Sequence, residues 1–165
     1  MNAQASEIMI TPPYKAKETD TVKNVIEKFV EHRISGLPVV NDLDQIVGYI
    51  SDGDIMRYIG KHKDIVVDFG VYYNYVLGDQ NPFDLRSKNL DQVGVMDIAQ
   101  RKVIKVQWDE DIEDIAALLG KKNIKKVPVE QNGRLAGVIS RGDIIRFIYR
   151  NYLCQPSPEP SSESS

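Results

Sequence analysis

The sequence predicts an α/β (α+β) chain of two tandem repeats, each a small sheet with two helices, paired by pseudo-twofold symmetry. GYISDGDIMRYI at 48–59 returns as GVISRGDIIRFI at 137–148, and eight of the twelve positions are identical. Upstream, LPVV at 37–40 returns as VPVE at 127–130. One repeat of about 50 residues would leave an apolar sheet face exposed, so pairing two repeats makes a core.

Each repeat opens on a predicted amphipathic helix. Apolar residues recur at helical spacing in two segments 90 residues apart: Val22, Val25, Ile26, Phe29 and Val30, then Ile112, Ile115, Ala116 and Leu119. This period predicts a helix with one buried stripe. Thr21 and Asp111 stand directly before the two stripes and are the predicted N-caps.

A β-hairpin and a second helix follow in each repeat. The turns NDLD at 41–44 and QNG at 131–133 separate short apolar runs, a pattern typical of hairpins. The second helices are predicted to start at Ile55 and Ile144, directly after a strand-to-helix corner of the form G-x-x-S-x-x-D.

These elements divide the chain into four parts. Residues 1–60 form the first repeat, 61–94 a connecting segment with a helix near 83–93, and 95–153 the second repeat. The remaining residues, 154–165, are rich in proline and serine and are predicted to be a disordered tail. An aromatic group in the connecting segment, whose role is open between core packing and an exposed patch, comprises Phe69, Tyr72, Tyr73 and Tyr75.

Composition narrows the class of protein. A net charge of −3 gives no general attraction to nucleic acid or to an anionic membrane. The longest apolar stretch, 65–77, is short and interrupted by Asp68 and Asn74, so it predicts no membrane span. The N-terminus lacks the regions of a signal peptide, so we expect a cytoplasmic location.

Motifs for catalysis are absent from the sequence. It has no phosphate-binding P-loop, no dinucleotide-binding glycine pattern and no zinc-protease motif. His32 and His62 lack metal-ligand spacing, and Cys154 borders the predicted tail. We therefore expect no catalytic residues, no metal and no catalytic cofactor, so the protein is not predicted to be an enzyme.

The duplicated corner allows two interpretations. Ser51 with Asp54, and Ser140 with Asp143, have the spacing of a capping box, which needs no ligand. The same geometry can bind a nucleotide, because a helix N-terminus favours phosphate and a carboxylate accepts hydrogen bonds from a ribose diol.

The order of helix, hPVV-type strand, G-h-h-S-x-x-D corner and helix, written twice, resembles the CBS (cystathionine β-synthase) domain over roughly residues 8–60 and 95–150. A tandem pair is called a Bateman module, here a stand-alone one. The resemblance implies a regulatory, ligand-sensing module that binds an adenosine-containing nucleotide (AMP, ADP or ATP) in the cleft between the repeats. The alternative is a dimerisation or protein-interaction scaffold whose clefts hold no ligand.

The resemblance also assigns roles to residues of the corners. The ribose would be held by Asp54 and Asp143, and phosphate would be contacted by the hydroxyls of Ser51 and Ser140. Base contacts would come from Pro13 and Tyr14 in the first repeat and from Val103 and Ile104 in the second.

The two corners differ in charge. Arg141 stands where the first corner has Asp52, and Lys125 with Lys126 replaces Ser35-Gly36. An arginine can bind phosphate bidentately, whereas an aspartate repels it. We therefore expect the corner with Ser140, Arg141, Gly142 and Asp143 to be the stronger site. The lysines are open to a second interpretation, a solvated basic run.

Two further expectations concern partners. Arg57 and Arg146 lie one helical turn beyond the aspartates and would pair either with an acidic neighbour or with a ligand. The resemblance implies a homodimer through the helices around 55–59 and 144–149, and an unidentified regulated protein. Nucleic acid and membranes are not expected as partners.

Overall fold

The computed structural model describes residues 3–60, 65–68, 74–77, 82–121 and 124–154. In chain order the first elements are α1 (Ala5–Ile8), β1 (Ala16–Lys17), α2 (Val22–His32), β2 (Gly36–Val40), β3 (Ile46–Ser51), α3 (Asp52–Ile59), β4 (Ile65–Asp68) and β5 (Asn74–Leu77). They are followed by α4 (Phe83–Lys88), a 3-10 turn (Asn89–Asp91), α5 (Val95–Ile98), β6 (Val106–Gln107), α6 (Ile112–Gly120), β7 (Lys126–Gln131), β8 (Arg134–Ser140), α7 (Arg141–Ile148) and a π-turn (Tyr149–Leu153).

These elements form two compact units. One consists of residues 14–103, and the other combines residues 1–13 with 104–165. The N-terminal residues join the second unit through backbone hydrogen bonds, in which Ala5 N–H donates to Glu110 O at 2.9 Å and Ile112 N–H donates to Ala3 O at 2.9 Å. The short helix α1 therefore completes the unit that contains the second repeat. Helix α5 does the same for residues 14–103, where Val95 N–H donates to Asp20 O at 2.8 Å.

Each unit contains the same three-stranded sheet. The strand orders are β1-β2-β3 and β6-β7-β8, and in both the first pair is parallel and the second antiparallel. Leu37 lies opposite Ile50 in one hairpin, and Val127 lies opposite Ile139 in the other. The predicted α/β class, its two repeats and both hairpins are confirmed.

A small apolar core fills each unit between its sheet and helices. In residues 14–103 the buried apolar residues are Ala16, Val22, Val25, Leu37, Val39, Ile50, Ile55, Ile59, Leu90 and Val95. In the other unit they are Ala5, Val106, Ile115, Leu119, Val127, Val129, Ile139 and Ile144. Burying each larger side chain contributes about 1.5–3 kcal/mol, which fixes the strand-to-helix corners on a rigid base.

The predicted starts of α2 and α6 are confirmed. Helices α3 and α7 begin at Asp52 and Arg141, three residues before the predicted starts at Ile55 and Ile144, because Ser51 and Ser140 are their N-caps. Helix α2 begins after Thr21, whose Oγ1 accepts a hydrogen bond from Asn24 N–H at 3.3 Å. Helix α6 begins after Asp111, without a side-chain hydrogen bond to the cap. Val30, expected in the buried stripe of α2, is instead 75% exposed. It borders a surface groove between α2 and the 3-10 turn, where no apolar neighbour covers it completely.

The connecting segment contains the expected helix near 83–93, as α4 followed by the 3-10 turn. It also contains an antiparallel hairpin, β4 with β5, which the sequence analysis did not anticipate. Phe69, Tyr72 and Tyr73 lie outside the described residues, as does the side chain of Tyr75. The proposed tail beyond residue 154 also lies outside them.

Candidate functional site

The corner at the start of α7 is held together by the side chain of Asp143. The backbone N–H and the Oγ of Ser140 both donate to Asp143 Oδ2 at 2.7 Å, and Asp143 N–H donates to Ser140 Oγ at 3.3 Å. This is the capping box that the spacing predicted. It holds the Asp143 carboxylate rigidly at the positive end of the helix.

Asp143 is a buried carboxylate with a cation beside it. Only 8% of the residue is exposed, and its Oδ1 accepts a hydrogen bond from Arg146 Nη2 at 2.5 Å. Burial raises the pKa of the Asp143 carboxyl, but the hydrogen bonds from Ser140 and Arg146 outweigh burial, so the pKa lies below its ordinary value. Asp143 is thus ionised at neutral pH and can only accept hydrogen bonds.

A cavity of about 460 Å³ lies beside Asp143. Its lining residues are Glu7, Ile8, Ile10, Asp143, Arg146, Phe147, Arg150 and Asn151. The volume falls within the range of small-molecule sites, about 300–1,000 Å³. The lining combines apolar side chains with two arginines and two carboxylates, those of Glu7 and Asp143. The arginines can bind an anion, a carboxylate can accept hydrogen bonds from hydroxyl groups, and the apolar side chains can pack against a ring.

The corner at the start of α3 has a similar capping arrangement with one additional contact. The N–H and Oγ of Ser51 donate to Asp54 Oδ2 at 2.9 and 3.0 Å. Asp54 Oδ1 accepts from Arg57 and also from Gln100 Nε2, the latter at 2.8 Å. Burial raises the pKa of Asp54, but hydrogen bonds from Gln100, Ser51 and Arg57 together bring it below the ordinary value.

Arg57 and Arg146 therefore take the same place in both repeats, and each pairs with the aspartate three residues before it. The glycine that precedes each aspartate lies close to the end of the paired arginine. A Cβ on Gly142 would lie 3.3 Å from Arg146 Nη1, and a Cβ on Gly53 would lie 3.5 Å from Arg57 Nη1. Both arginines therefore pair with an acidic neighbour, which was one of the two roles expected of them.

Arg141 does not line the cavity beside Asp143. Its Nε donates to Leu119 O at 3.0 Å, and its side chain lines a separate cavity of about 420 Å³ between α6 and α7. Leu119 lies in the last turn of α6, where unpaired carbonyl groups and the helix dipole attract a cation. The cations that do line the Asp143 cavity are Arg146 and Arg150.

The remaining predicted residues lie as follows. Lys126 is half-buried and faces Ser140 across the β7–β8 pair, while Lys125 is exposed and its carbonyl accepts from Arg141 N–H at 3.1 Å. The ring of Tyr14 stacks on that of His32, with centroids 3.9 Å apart. Pro13 and Val103 are half-buried, and Ile104 is 51% exposed. None of these residues lines the Asp143 cavity.

Residues near the start of each repeat make contacts that were not predicted from the sequence. Glu7, Ile8 and Ile10 line the Asp143 cavity, and Gln100 contacts Asp54. The signal was present in the repeat itself. Continuing its 90-residue spacing upstream aligns ASEI at 5–8 with VMDI at 95–98, and thus Ile10 with Gln100.

A family model of the CBS domain matches residues 5–61 and again residues 95–150. These two matches cover more than half of the chain, so the chain belongs to the CBS domain family and contains two tandem copies of the domain, as its sequence indicated. The uncharacterized protein MJ1426 of Methanocaldococcus jannaschii is 33% identical over 159 residues, covering 86% of this chain and 89% of that protein.

Solved CBS structures share the fold. CBSX2 from Arabidopsis thaliana has a TM-score of 0.70 at 22% identity and covers 91% of this chain and 96% of its own. CBSX2 in complex with AMP gives a TM-score of 0.66 at 22% identity, covering 89% and 96%. The CBS domain pair of protein MJ0100, in complex with 5′-methylthioadenosine and S-adenosyl-L-methionine, gives 0.65 at 22% identity, covering 90% and 97%.

Two features are absent from the described residues, a membrane-spanning helix and a group of metal ligands. No helix among them has the length and apolar character needed to cross a bilayer. Within the same part of the chain, no group of three or more His, Cys, Asp or Glu side chains is arranged to hold a metal ion.

Proposed function

We propose that this CBS domain pair is a regulatory module that binds an adenosine-containing nucleotide, AMP, ADP or ATP, at the Asp143 corner. The observation that carries the proposal is a rigid, ionised carboxylate that lines a cavity of about 460 Å³ together with two arginines. The AMP complex of CBSX2 and the S-adenosyl-L-methionine complex of MJ0100 support an adenosine compound as the class of ligand.

Each part of a nucleotide has a matching group in this cavity. A ribose hydroxyl would donate to Asp143, because its carboxylate can only accept hydrogen bonds. Phosphate would bind the guanidinium groups of Arg146 and Arg150, as charge-assisted contacts to arginine favour phosphate oxygens. The base would pack against Ile10 and Phe147, which supply apolar surface. Roles for Arg141, Lys125 and Lys126 in phosphate binding stay predictions.

A regulatory role requires that the nucleotide bind one conformation of the protein better than another. In this proposal an unidentified partner protein responds to that change, and the domain pair itself catalyses no reaction. The cytoplasmic location also stays a prediction.

Thermal unfolding with and without nucleotide tests the proposal. At a ligand concentration 100 times the dissociation constant, binding stabilises a protein by about 2.7 kcal/mol. For a chain of this size that free energy corresponds to a rise in melting temperature of about 5–10 °C. AMP, ADP, ATP and S-adenosyl-L-methionine would be compared at matched concentrations, with inosine monophosphate as a control for the base. No rise with any adenosine compound would contradict the proposal.

A second function, self-association, is favoured by an exposed apolar face. Ile145, Tyr149 and Tyr152 follow helical spacing along α7 and the π-turn, and they are 64%, 56% and 68% exposed. We propose that a second copy of the chain covers this face, giving the homodimer expected from the resemblance. The substitution Ile145→Asp should then reduce the mass measured by light scattering to that of a monomer. Val30→Asp is the matched control, because Val30 lies in the other unit and is 75% exposed. A wild-type protein that is monomeric at high concentration would contradict self-association.

A further inference from the structure

Gln100 and Ile10 take equivalent backbone positions in the two units. Gln100 forms an isolated antiparallel bridge with Tyr49, and Ile10 forms the same bridge with Val138. In the first bridge the N–H···O distances are 2.9 and 2.8 Å, and in the second they are 2.9 and 3.2 Å. Tyr49 and Val138 are themselves equivalent residues of the duplicated corner. Each bridge therefore holds one side chain next to the strand that leads into the aspartate corner.

The two side chains differ in what they can donate. Gln100 Nε2 donates a hydrogen bond to Asp54 Oδ1 at 2.8 Å, although the two residues are 46 positions apart. Ile10 has no polar atom in its side chain, is 51% exposed and lines the cavity beside Asp143. The same position thus supplies a donor to one aspartate and only an apolar wall beside the other.

This difference changes how many acceptor positions remain. An ionised carboxylate offers about four acceptor positions, two on each oxygen. Asp54 receives two donors from Ser51, one from Arg57 and one from Gln100. Asp143 receives two from Ser140 and one from Arg146 among the residues that the structure describes. One acceptor position on Asp143 Oδ1 is therefore left for a ligand.

We propose that the amide of Gln100 occupies the ribose position of the first corner, so that the chain binds a single nucleotide, at Asp143. Gln100 and Ile10 then determine which corner is open. This inference rests on the proposed function and adds to it the residue pair that sets the number of ligands. A ribose hydroxyl reaching Asp54 must displace an internal donor that is already attached to the protein, whereas one reaching Asp143 need not.

Isothermal titration with AMP, using the 165-residue protein and three variants, measures the number of sites directly. Wild type should bind one AMP per chain. Gln100→Ile copies the residue of the other unit and should add a second AMP. Ile10→Gln should weaken the original site by about tenfold to a hundredfold, the effect of competing with one hydrogen bond to a charged group. Gln92→Ile, at an exposed glutamine that makes no contact with either aspartate, is the control and should match wild type.

A second measurement needs no nucleotide. The carbon NMR titration of the Asp54 carboxyl should move to higher pH in Gln100→Ile, because the variant removes a hydrogen bond that holds the carboxylate ionised. Gln100→Ala provides a second variant should isoleucine disturb the fold. The titration shows whether Gln100 holds Asp54 as the structure describes.

The outcomes separate the two proposals. One AMP in wild type and two in Gln100→Ile, with the expected Asp54 shift, support the inference. Two AMP in wild type, or one AMP in both proteins despite the Asp54 shift, overturn the inference and leave the proposed function standing. An unmoved Asp54 titration also overturns the inference alone. Absence of binding by AMP, ADP, ATP and S-adenosyl-L-methionine in every variant overturns both.

Discussion

Replacing Asp143 with alanine should have two effects of different size, a loss of stability and a larger loss of affinity for the nucleotide. For stability, the change removes two hydrogen bonds from Ser140 and the pair with Arg146. Loss of a helix-capping side chain costs about 0.5–2 kcal/mol. The Arg146 side chain is 59% exposed, so its ion pair adds little. We expect a loss of about 1 kcal/mol, or a melting temperature lower by about 2–4 °C.

The effect on binding should be larger. A hydrogen bond to a charged group contributes about 1.5–3 kcal/mol, and the variant loses at least one from a ribose hydroxyl. That free energy corresponds to a loss of affinity of about tenfold to 150-fold. Thermal melts would measure the first effect, and isothermal titration with AMP below the melting range would measure the second.

Asp54→Ala is the matched control, because Asp54 has the same capping contacts and one more from Gln100. We expect it to destabilise the protein at least as much as Asp143→Ala while leaving the affinity for AMP near that of wild type. The reasoning is refuted if Asp143→Ala binds AMP as tightly as wild type. It is equally refuted if the two alanine variants lose affinity to the same extent.

Two further predictions concern stability. The pKa values of Asp54 and Asp143 are lowered in the fold, so their contribution is complete above the unfolded value of about 3.9 and is lost as the pH falls through the folded values. The free energy of unfolding of wild type and of the double variant Asp54→Asn/Asp143→Asn would be measured by urea titration from pH 7 to pH 2. The difference between the two proteins should shrink below about pH 4. A difference that stays constant with pH would contradict the assigned contacts. Ile139→Ala removes a fully buried side chain from the core of residues 104–165 and should lower the free energy of unfolding by about 2–5 kcal/mol. Ile145→Ala changes a residue that is 64% exposed and should lower the free energy of unfolding of the monomer by less than about 0.5 kcal/mol. If chemical denaturation showed equal losses of stability for the two variants, the assignment of Ile139 to the core would be wrong.

Much of the fold could be predicted because its signals are local. The short apolar runs around NDLD and QNG define the hairpins, and Thr21 marks the start of α2. The exposure of Val30 could not be read in this way, since a helical period shows which residues share a stripe but not how far neighbours cover its edge. The joining of α1 to the second repeat depends on backbone bonds between segments more than 100 residues apart, such as that from Ala5 to Glu110.

The candidate site divides in the same manner. The Ser140–Asp143 capping box is a contact between residues three apart, so its spacing predicted it. Gln100 reaches Asp54 across 46 positions, and no local spacing in the sequence indicates that contact. Arg141 was expected near phosphate because of its place in the corner, but the carbonyl of Leu119 at the end of α6 binds its side chain. Sequence position alone does not determine which of two nearby anions or dipoles an arginine contacts.

A crystal structure of the protein grown with AMP would test the central claim most directly. The account predicts electron density for one AMP per chain beside α7, with a ribose hydroxyl within hydrogen-bonding distance of an Asp143 carboxylate oxygen. Density for AMP at the Asp54 corner alone, or ribose hydroxyls that contact neither aspartate, would contradict it.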